Sequence, residues 1–137
     1  MRDLDESQRW LCHAQDEFRD ADTLRGMERY YLALFHFQQA AEKALKAYLL
    51  SVLGSTEVHR VHSVDSLIRL ATEASPDFAS VAAAKKLDIY NVPTRYPNGL
   101  PGAVPSRFYT DPEEAQQASD LARAVINLVE RKMQQGD

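Results

Sequence analysis

The chain has 137 residues, of which 45% are hydrophobic, and its formal net charge is −4. This length fits one domain, residues 1–137, and the acidic balance argues against a surface covered with phosphate-binding cations. The single cysteine excludes an internal disulfide and the charged N-terminus lacks the apolar core of a signal peptide, so we expect a cytoplasmic protein.

The first two predicted elements are long helices, over about residues 5–25 and 28–53. Apolar residues recur in both at spacings of three and four, which places them on one face of each helix. The stripes are Trp10, Ala14, Phe18, Ala21 and Leu24, and then Leu34, Phe37, Ala41, Ala44, Leu45, Tyr48 and Leu49. Gln38 falls within the second stripe, where its amide needs a hydrogen-bond partner. We expect Lys43 and Lys46 on the outer side of this helix.

Two short helices are predicted next, over about residues 63–74 and 78–90, with Pro76 between them. Ser63 is the expected N-cap of the first. The positions expected to face inward are Val64, Leu67, Ile68 and Ala71, followed by Phe78, Val81, Ala82 and Ile89.

Residues 91–110 contain prolines at 93, 97, 101 and 105. We expect no helix to run through this segment, because each proline removes a backbone donor and clashes with the preceding turn. The segment also carries three large rings, Tyr96, Phe108 and Tyr109. A long proline-rich loop with such rings is typically ordered and functional.

The last helix is predicted over about residues 112–134. Asp111 can cap it, Pro112 fits its first position and Glu114 can complete a capping box. Its apolar stripe is Ala115, Ala118, Ala122, Val125, Ile126, Val129 and Met133. The whole pattern predicts an all-α, up-and-down helical bundle of about five helices, three long and two short, with an ordered loop at 91–110.

Basic residues gather around the proline-rich loop although the chain as a whole is acidic. Two of them stand directly before an aromatic residue, and an arginine fork beside a ring suits the phosphate and base of a nucleotide. The candidate ligand-binding residues are Arg95, Tyr96, Arg107, Tyr109, Lys43, Lys46 and His62. Each also has a structural interpretation. The arginines and tyrosines would then hold the loop, the lysines would lie on a solvated face, and the histidine would fix the start of the third helix.

Other chemistries lack their motifs. The sequence has no glycine-rich phosphate loop, no cysteine pair for zinc and no recognisable nucleophile motif. His59 and His62 are close in sequence, but further metal ligands do not follow from it. We therefore expect no metal, no cofactor and, since no apolar run approaches about 18 residues, no membrane span.

Three motifs resemble those of the HEPN domain family, in the family's order. The second helix reads FHFQQAAEKALKAYLL, His62 and Ser63 precede the third, and the loop reads YNVPTRYP. The resemblance covers about residues 6–132. It implies a helical bundle, a two-fold homodimer and a nucleotide- or RNA-binding module. For many bacterial and archaeal members it also implies a small nucleotidyltransferase partner, often in a toxin–antitoxin pair.

One branch of the family consists of metal-independent ribonucleases, whose motif is an arginine, four to six residues and then a histidine near the last major helix. No histidine follows Arg95 or Arg107, and Arg29 and His36, which match the spacing, lie at the start of the second helix. We interpret that match as chance and expect no catalytic residue. Two alternatives stay open. One is a divergent ribonuclease that needs His62 near Arg95. The other is a purely structural oligomerisation partner, which an exposed apolar strip on the first or second helix would favour.

Overall fold

The computed structural model describes residues 5–54 and 56–135, and each regular element in these ranges is helical. The longer elements are α1 (Glu6–Gly26), α2 (Tyr30–Leu53), α3 (Val64–Ala74), a 3₁₀ helix (Pro76–Tyr90) and α5 (Pro112–Gln134). Shorter turns of helix occupy Thr56–Arg60, Pro97–Gly99 and α4 (Pro105–Phe108). The predicted all-α bundle, with three long and two shorter helices, is confirmed. None of the helices in the described ranges has the length and apolar character needed to cross a membrane.

Helix α2 lies at the centre of the bundle. It packs against α1, α5, α3 and the 3₁₀ helix, so residues on all its faces are buried from Ala40 to Leu50, with only Lys43 partly exposed. Gln38 is also fully buried. Its Oε1 accepts a hydrogen bond from Gln39, at 2.7 Å, whereas its Nε2 has no partner in the described residues. The apolar stripe therefore predicts the core face of α2 correctly, but more residues of the helix are buried than the stripe indicates.

The N-termini of α3 and α5 are held by acidic side chains. Ser63 caps α3 as expected, but the carboxylate of Asp88 also accepts hydrogen bonds from the Ser63 hydroxyl and from the backbone N–H groups of Val64 and Asp65. Asp111 caps α5 by accepting from the backbone of Glu113, at 2.9 Å. The predicted capping box at α5 does not form, because the side chain of Glu114 instead accepts a hydrogen bond from Tyr90.

The fourth helix differs most from its prediction. It is a 3₁₀ helix with a kink at Val81, where φ and ψ are −109° and 17°. A 3₁₀ helix has about three residues per turn, and its buried residues recur at every third position: Phe78, Val81, Ala84, Leu87 and Tyr90. The expectation that Ala82 and Ile89 face inward is therefore wrong, and Ile89 is 61% exposed. The α-helical period assumed for this segment caused the error.

The buried face of the 3₁₀ helix can be tested by truncating two residues of similar size. We expect Leu87→Ala to lower the free energy of unfolding by about 2–5 kcal/mol, as for a fully buried leucine. Ile89→Ala should change it by less than about 0.5 kcal/mol, as for an exposed site. Urea unfolding followed by circular dichroism measures both. Equal losses, or a larger loss at Ile89, would contradict the three-residue period.

Candidate functional site

The proline-rich loop is anchored at both ends by buried tyrosines. Tyr90 precedes it and Tyr109 lies near its end, and their rings meet edge to face with centroids 6.0 Å apart. The Tyr90 hydroxyl donates to Glu114 at 2.8 Å. Burial, together with the nearby Glu114 carboxylate, raises the pKa of both tyrosines, so both remain neutral phenols. Because Tyr109 serves this anchor, its ring is not exposed for stacking.

Short helical turns shape the loop between these anchors. They begin at Pro97 and Pro105, where the fixed φ of proline suits the first helical position. The Thr94 hydroxyl donates to the Tyr90 carbonyl, which ties the start of the loop to the end of the 3₁₀ helix. No helix runs through the whole segment, as expected, and the loop is ordered by local hydrogen bonds.

Arg95 lies beside two aromatic rings. Its Cζ is 4.8 Å from the centroid of Phe35, on α2, and 5.0 Å from that of Tyr96, both within cation–π range. Its Nε donates to the Asn91 carbonyl at 2.7 Å and one Nη to the Asn91 side chain at 3.1 Å. No carboxylate of the described residues lies within salt-bridge distance of Arg95. The guanidinium is thus fixed in position while its remaining N–H groups stay available to a ligand.

A cluster of charged residues lies next to Phe35, between α1 and α2. The Glu17 carboxylate, 11% exposed, contacts His36 Nδ1 at 2.6 Å and Lys43 Nζ at 2.5 Å. Lys43 also approaches His13 Nε2, at 3.1 Å. Burial alone would raise the pKa of Glu17, but the hydrogen bonds and charges of His36 and Lys43 outweigh it and lower that pKa. The imidazole of His36 meets the Phe35 ring edge-on, with centroids 5.0 Å apart.

The sequence predicts that Lys46 lies on the outer side of α2. This prediction is wrong, because α1 covers that side of the helix. The residue is 3% exposed. Its Nζ lies 3.1 Å from His62 Nδ1, 3.6 Å from Glu42 Oε2 and 5.7 Å from the centroid of the Trp10 ring. Since an ammonium group only donates, His62 accepts through Nδ1. Burial raises the pKa of Glu42 and outweighs the attraction of Lys46 and His62.

The structure therefore separates the predicted site residues into groups. Arg95 contacts the rings of both Phe35 and Tyr96, and Lys43 is connected to Phe35 through Glu17 and His36. Lys46 lies farther along α2, about 16 Å of helix from Phe35, and His62 is paired with it. Arg107 is exposed on α4 and has no carboxylate of the described residues within salt-bridge distance.

Sequence reasoning did not connect Phe35, His36 or Glu17 with the loop, and it considered His36 only in the chance match with Arg29. Phe35 and His36 precede Arg95 by a long stretch of chain, and only the packing of the loop on α2 brings them together. Glu17 could have been noticed, since it stands between Ala14 and Ala21 on the buried face of α1. An acidic residue at such a position needs cationic partners from a neighbouring helix. We define the Arg95 site as Phe35, His36, Arg95 and Tyr96.

Comparisons with known proteins agree with this architecture. The family model described as HEPN domain matches residues 7–132. TT1696 from Thermus thermophilus has 34% sequence identity and a TM-score of 0.77, and the match covers 94% of this chain and 99% of that one. ST0689, described as an archaeal HEPN homologue, has 25% identity and a TM-score of 0.74, with 94% and 98% covered. No curated protein sequence matches the chain.

The charge cluster predicts a pH-dependent stability. Because the folded-state pKa of Glu17 lies below its ordinary value of 4.5, its contribution is fully present above that value and is lost as the pH falls through the folded-state pKa. We expect Glu17→Gln to lower the free energy of unfolding by about 1.5–3 kcal/mol at neutral pH. The difference from the wild type should shrink in acid, as measured by urea unfolding across the pH range. Glu73→Gln, at an exposed position on α3, is the control. A loss no larger than the control's, or one that persists in acid, would contradict this role.

Proposed function

Since the chain belongs to the HEPN domain family, we propose that it is a nucleotide- or RNA-binding module whose ligand site is the Arg95 site. Arg95 binds phosphate, and Tyr96, 49% exposed, offers its ring to a base. The observation that carries this proposal is the geometry of Arg95. Its guanidinium is held by Asn91 and by two rings, yet no described acidic side chain neutralises it.

Further cations support an anionic ligand. Lys85, Lys86 and Arg107 are exposed, and none of them lies within salt-bridge distance of a described carboxylate. The one acidic residue among them, Asp88, turns inward to cap α3. The exposed charge of this segment is therefore positive, even though the whole chain carries a net charge of −4.

Three predicted ligand residues have other roles in this proposal. Lys43 neutralises Glu17 and supports His36, so it acts behind the site. Lys46 is paired with His62, and its backbone lies about 16 Å along α2 from that of Phe35, so this pair is remote from the Arg95 site within a single chain. The ribonuclease hypothesis with His62 as the proton acceptor therefore gains no support in one chain.

Substitution of Arg95 tests the proposed ligand site. We expect Arg95→Ala to weaken binding of nucleotides or short RNAs about tenfold or more, because a charge-assisted hydrogen bond is lost. Arg95→Lys should restore little, since lysine lacks the planar fork and the ring contact. Binding should also weaken with rising salt. Calorimetric titration at two salt concentrations measures both effects.

The control is Arg69→Ala, which removes an exposed arginine that already pairs with Asp65 on α3. It should leave binding unchanged. Absence of wild-type binding at either salt concentration, also with a partner protein present, would overturn the proposal. So would Arg95 variants that bind as tightly as the wild type.

A second element of the proposal is a protein interface on the same segment. The structural alternative required an apolar strip on α1 or α2, but only Leu53 of those helices is among the exposed large apolar residues of the described ranges. Five others lie in one stretch of the chain: Ile89, Val92, Tyr96, Val104 and Phe108. Exposed apolar residues grouped in this way are typical of interaction sites. We propose that this surface contacts a second copy of the chain in a homodimer, with a small nucleotidyltransferase as the partner of the assembled module.

Charge substitution on this segment tests the interface. We expect the wild type to be dimeric in light scattering, and Phe108→Lys to raise the dimer dissociation constant at least about tenfold, since a buried apolar contact is replaced by a charge. Met27→Lys, at an exposed apolar residue outside the segment, should have no effect. A monomeric wild type at all concentrations, or equal effects of the two variants, would refute this interface. Co-purification of the native complex reports on the nucleotidyltransferase.

A further inference from the structure

His36 is a titratable residue beside Phe35 that the proposed function does not yet use. Its ring lies 5.0 Å from the centroid of Phe35, and Arg95 Cζ lies 4.8 Å from the same centroid. These two distances add up to an upper limit of about 10 Å between Cζ and the imidazole centre. This upper limit is within the reach of one small ligand.

Glu17 fixes the hydrogen-bonding character of His36. The lowered pKa of Glu17 keeps its carboxylate ionised, and an ionised carboxylate only accepts hydrogen bonds. His36 Nδ1, 2.6 Å from that carboxylate, must carry the proton. In the neutral imidazole the other nitrogen, Nε2, is then a hydrogen-bond acceptor.

His36 Nε2 is accessible. It has no hydrogen-bond partner among the described residues. In these ranges, Gln38 Nε2 is the only side-chain N or O atom that is both buried and without a partner. His36 Nε2 therefore reaches solvent, and the His36 side chain is 33% exposed. With the imidazole in its neutral form, the site combines a guanidinium that donates with an imidazole nitrogen that accepts.

A ribonucleotide carries both complementary groups. Its phosphate accepts hydrogen bonds and its 2′-hydroxyl can donate one, and in an RNA strand or a nucleoside 3′-phosphate the 2′-hydroxyl and the 3′-phosphate are separated by only a few covalent bonds. With a hydrogen bond of about 2.8 Å at either end, this span is compatible with the upper limit of about 10 Å between Arg95 Cζ and the imidazole centre. The 2′-hydroxyl is also the group by which a protein distinguishes RNA from DNA.

We infer that His36, oriented by Glu17, accepts a hydrogen bond from the 2′-hydroxyl of the ligand, so that the Arg95 site prefers ribonucleotides to deoxyribonucleotides. This inference rests on the proposed function, because it names the ligand class of the same site. Glu17 is a positioning residue in it and His36 a specificity-determining one.

The test is the ratio of the affinities for two matched pairs of ligands. Adenosine 3′-monophosphate is compared with its 2′-deoxy form, and an adenylate RNA hexamer with the corresponding DNA hexamer, by calorimetric titration. We expect the wild type to bind the ribose form of a pair about three- to tenfold more tightly, as for one hydrogen bond. His36→Phe keeps a ring but removes the acceptor, and it should bring the ratio to about one without weakening the binding of the deoxy form.

Two further variants separate specificity from folding. His13→Phe alters the same charge cluster at its far side, next to Lys43, and should keep the wild-type ratio. Glu17→Gln releases the imidazole from its fixed orientation and should lower the ratio. Glu17→Gln also tests the inference if His36→Phe does not fold.

Several outcomes would overturn the inference. Equal binding of both forms by the wild type would refute it while leaving the proposed function intact, whereas no binding of any ligand would refute both. An unchanged affinity ratio in His36→Phe would show that His36 does not recognise the 2′-hydroxyl. If His36→Phe does not fold, an unchanged affinity ratio in Glu17→Gln would show the same. An equal loss for both forms in His36→Phe would assign that residue a structural role.

Discussion

The enclosure of α2 is the constraint on which the rest of the structure depends. A helix covered by neighbours on all sides has no solvated face, so each charged side chain on it must find a partner inside the protein. Lys43 is neutralised by Glu17 of α1, and Lys46 by Glu42 with support from His62. The contacts of Glu17 join α1 to α2, and they hold His36 beside Phe35. The proposed ligand site is thus adjacent to the contacts by which the central helix satisfies its buried charges.

The loop is positioned by a different kind of contact. Tyr90 and Tyr109 close the two ends of the segment on each other, and Glu114 holds the Tyr90 hydroxyl from the start of α5. Asp88, a few residues earlier, ties the end of the 3₁₀ helix to the N-terminus of α3. With both approaches to the loop fixed, Arg95 projects from a rigid turn. Its donors are already ordered, and in the proposed ligand site this order would reduce the entropy lost on binding.

The sequence predicted the fold well where one period dominates. Stripes at spacings of three and four located the cores of α1, α2 and α5, because a long helix repeats its pattern several times. The buried face of the 3₁₀ helix was predicted wrongly, because an α-helical period was assumed for this segment. Phe78 and Leu87 belong to a series with a spacing of three, which the sequence contains. Within the candidate site, Arg95 and Tyr96 were recognisable as neighbours in sequence. Phe35 was not, since its contact with Arg95 arises only from tertiary packing.

The 3₁₀ geometry also affects how the segment before the loop can change in length. A 3₁₀ helix rises about 2.0 Å per residue, against 1.5 Å in an α-helix, so each of the two parts of Pro76–Tyr90, before and after the kink at Val81, covers more distance per residue than an α-helix would. Fewer residues therefore return the chain to the start of α5. Removing or adding three residues restores the same buried face, whereas one or two would rotate it away from the core. Related chains should accordingly differ here in steps of three.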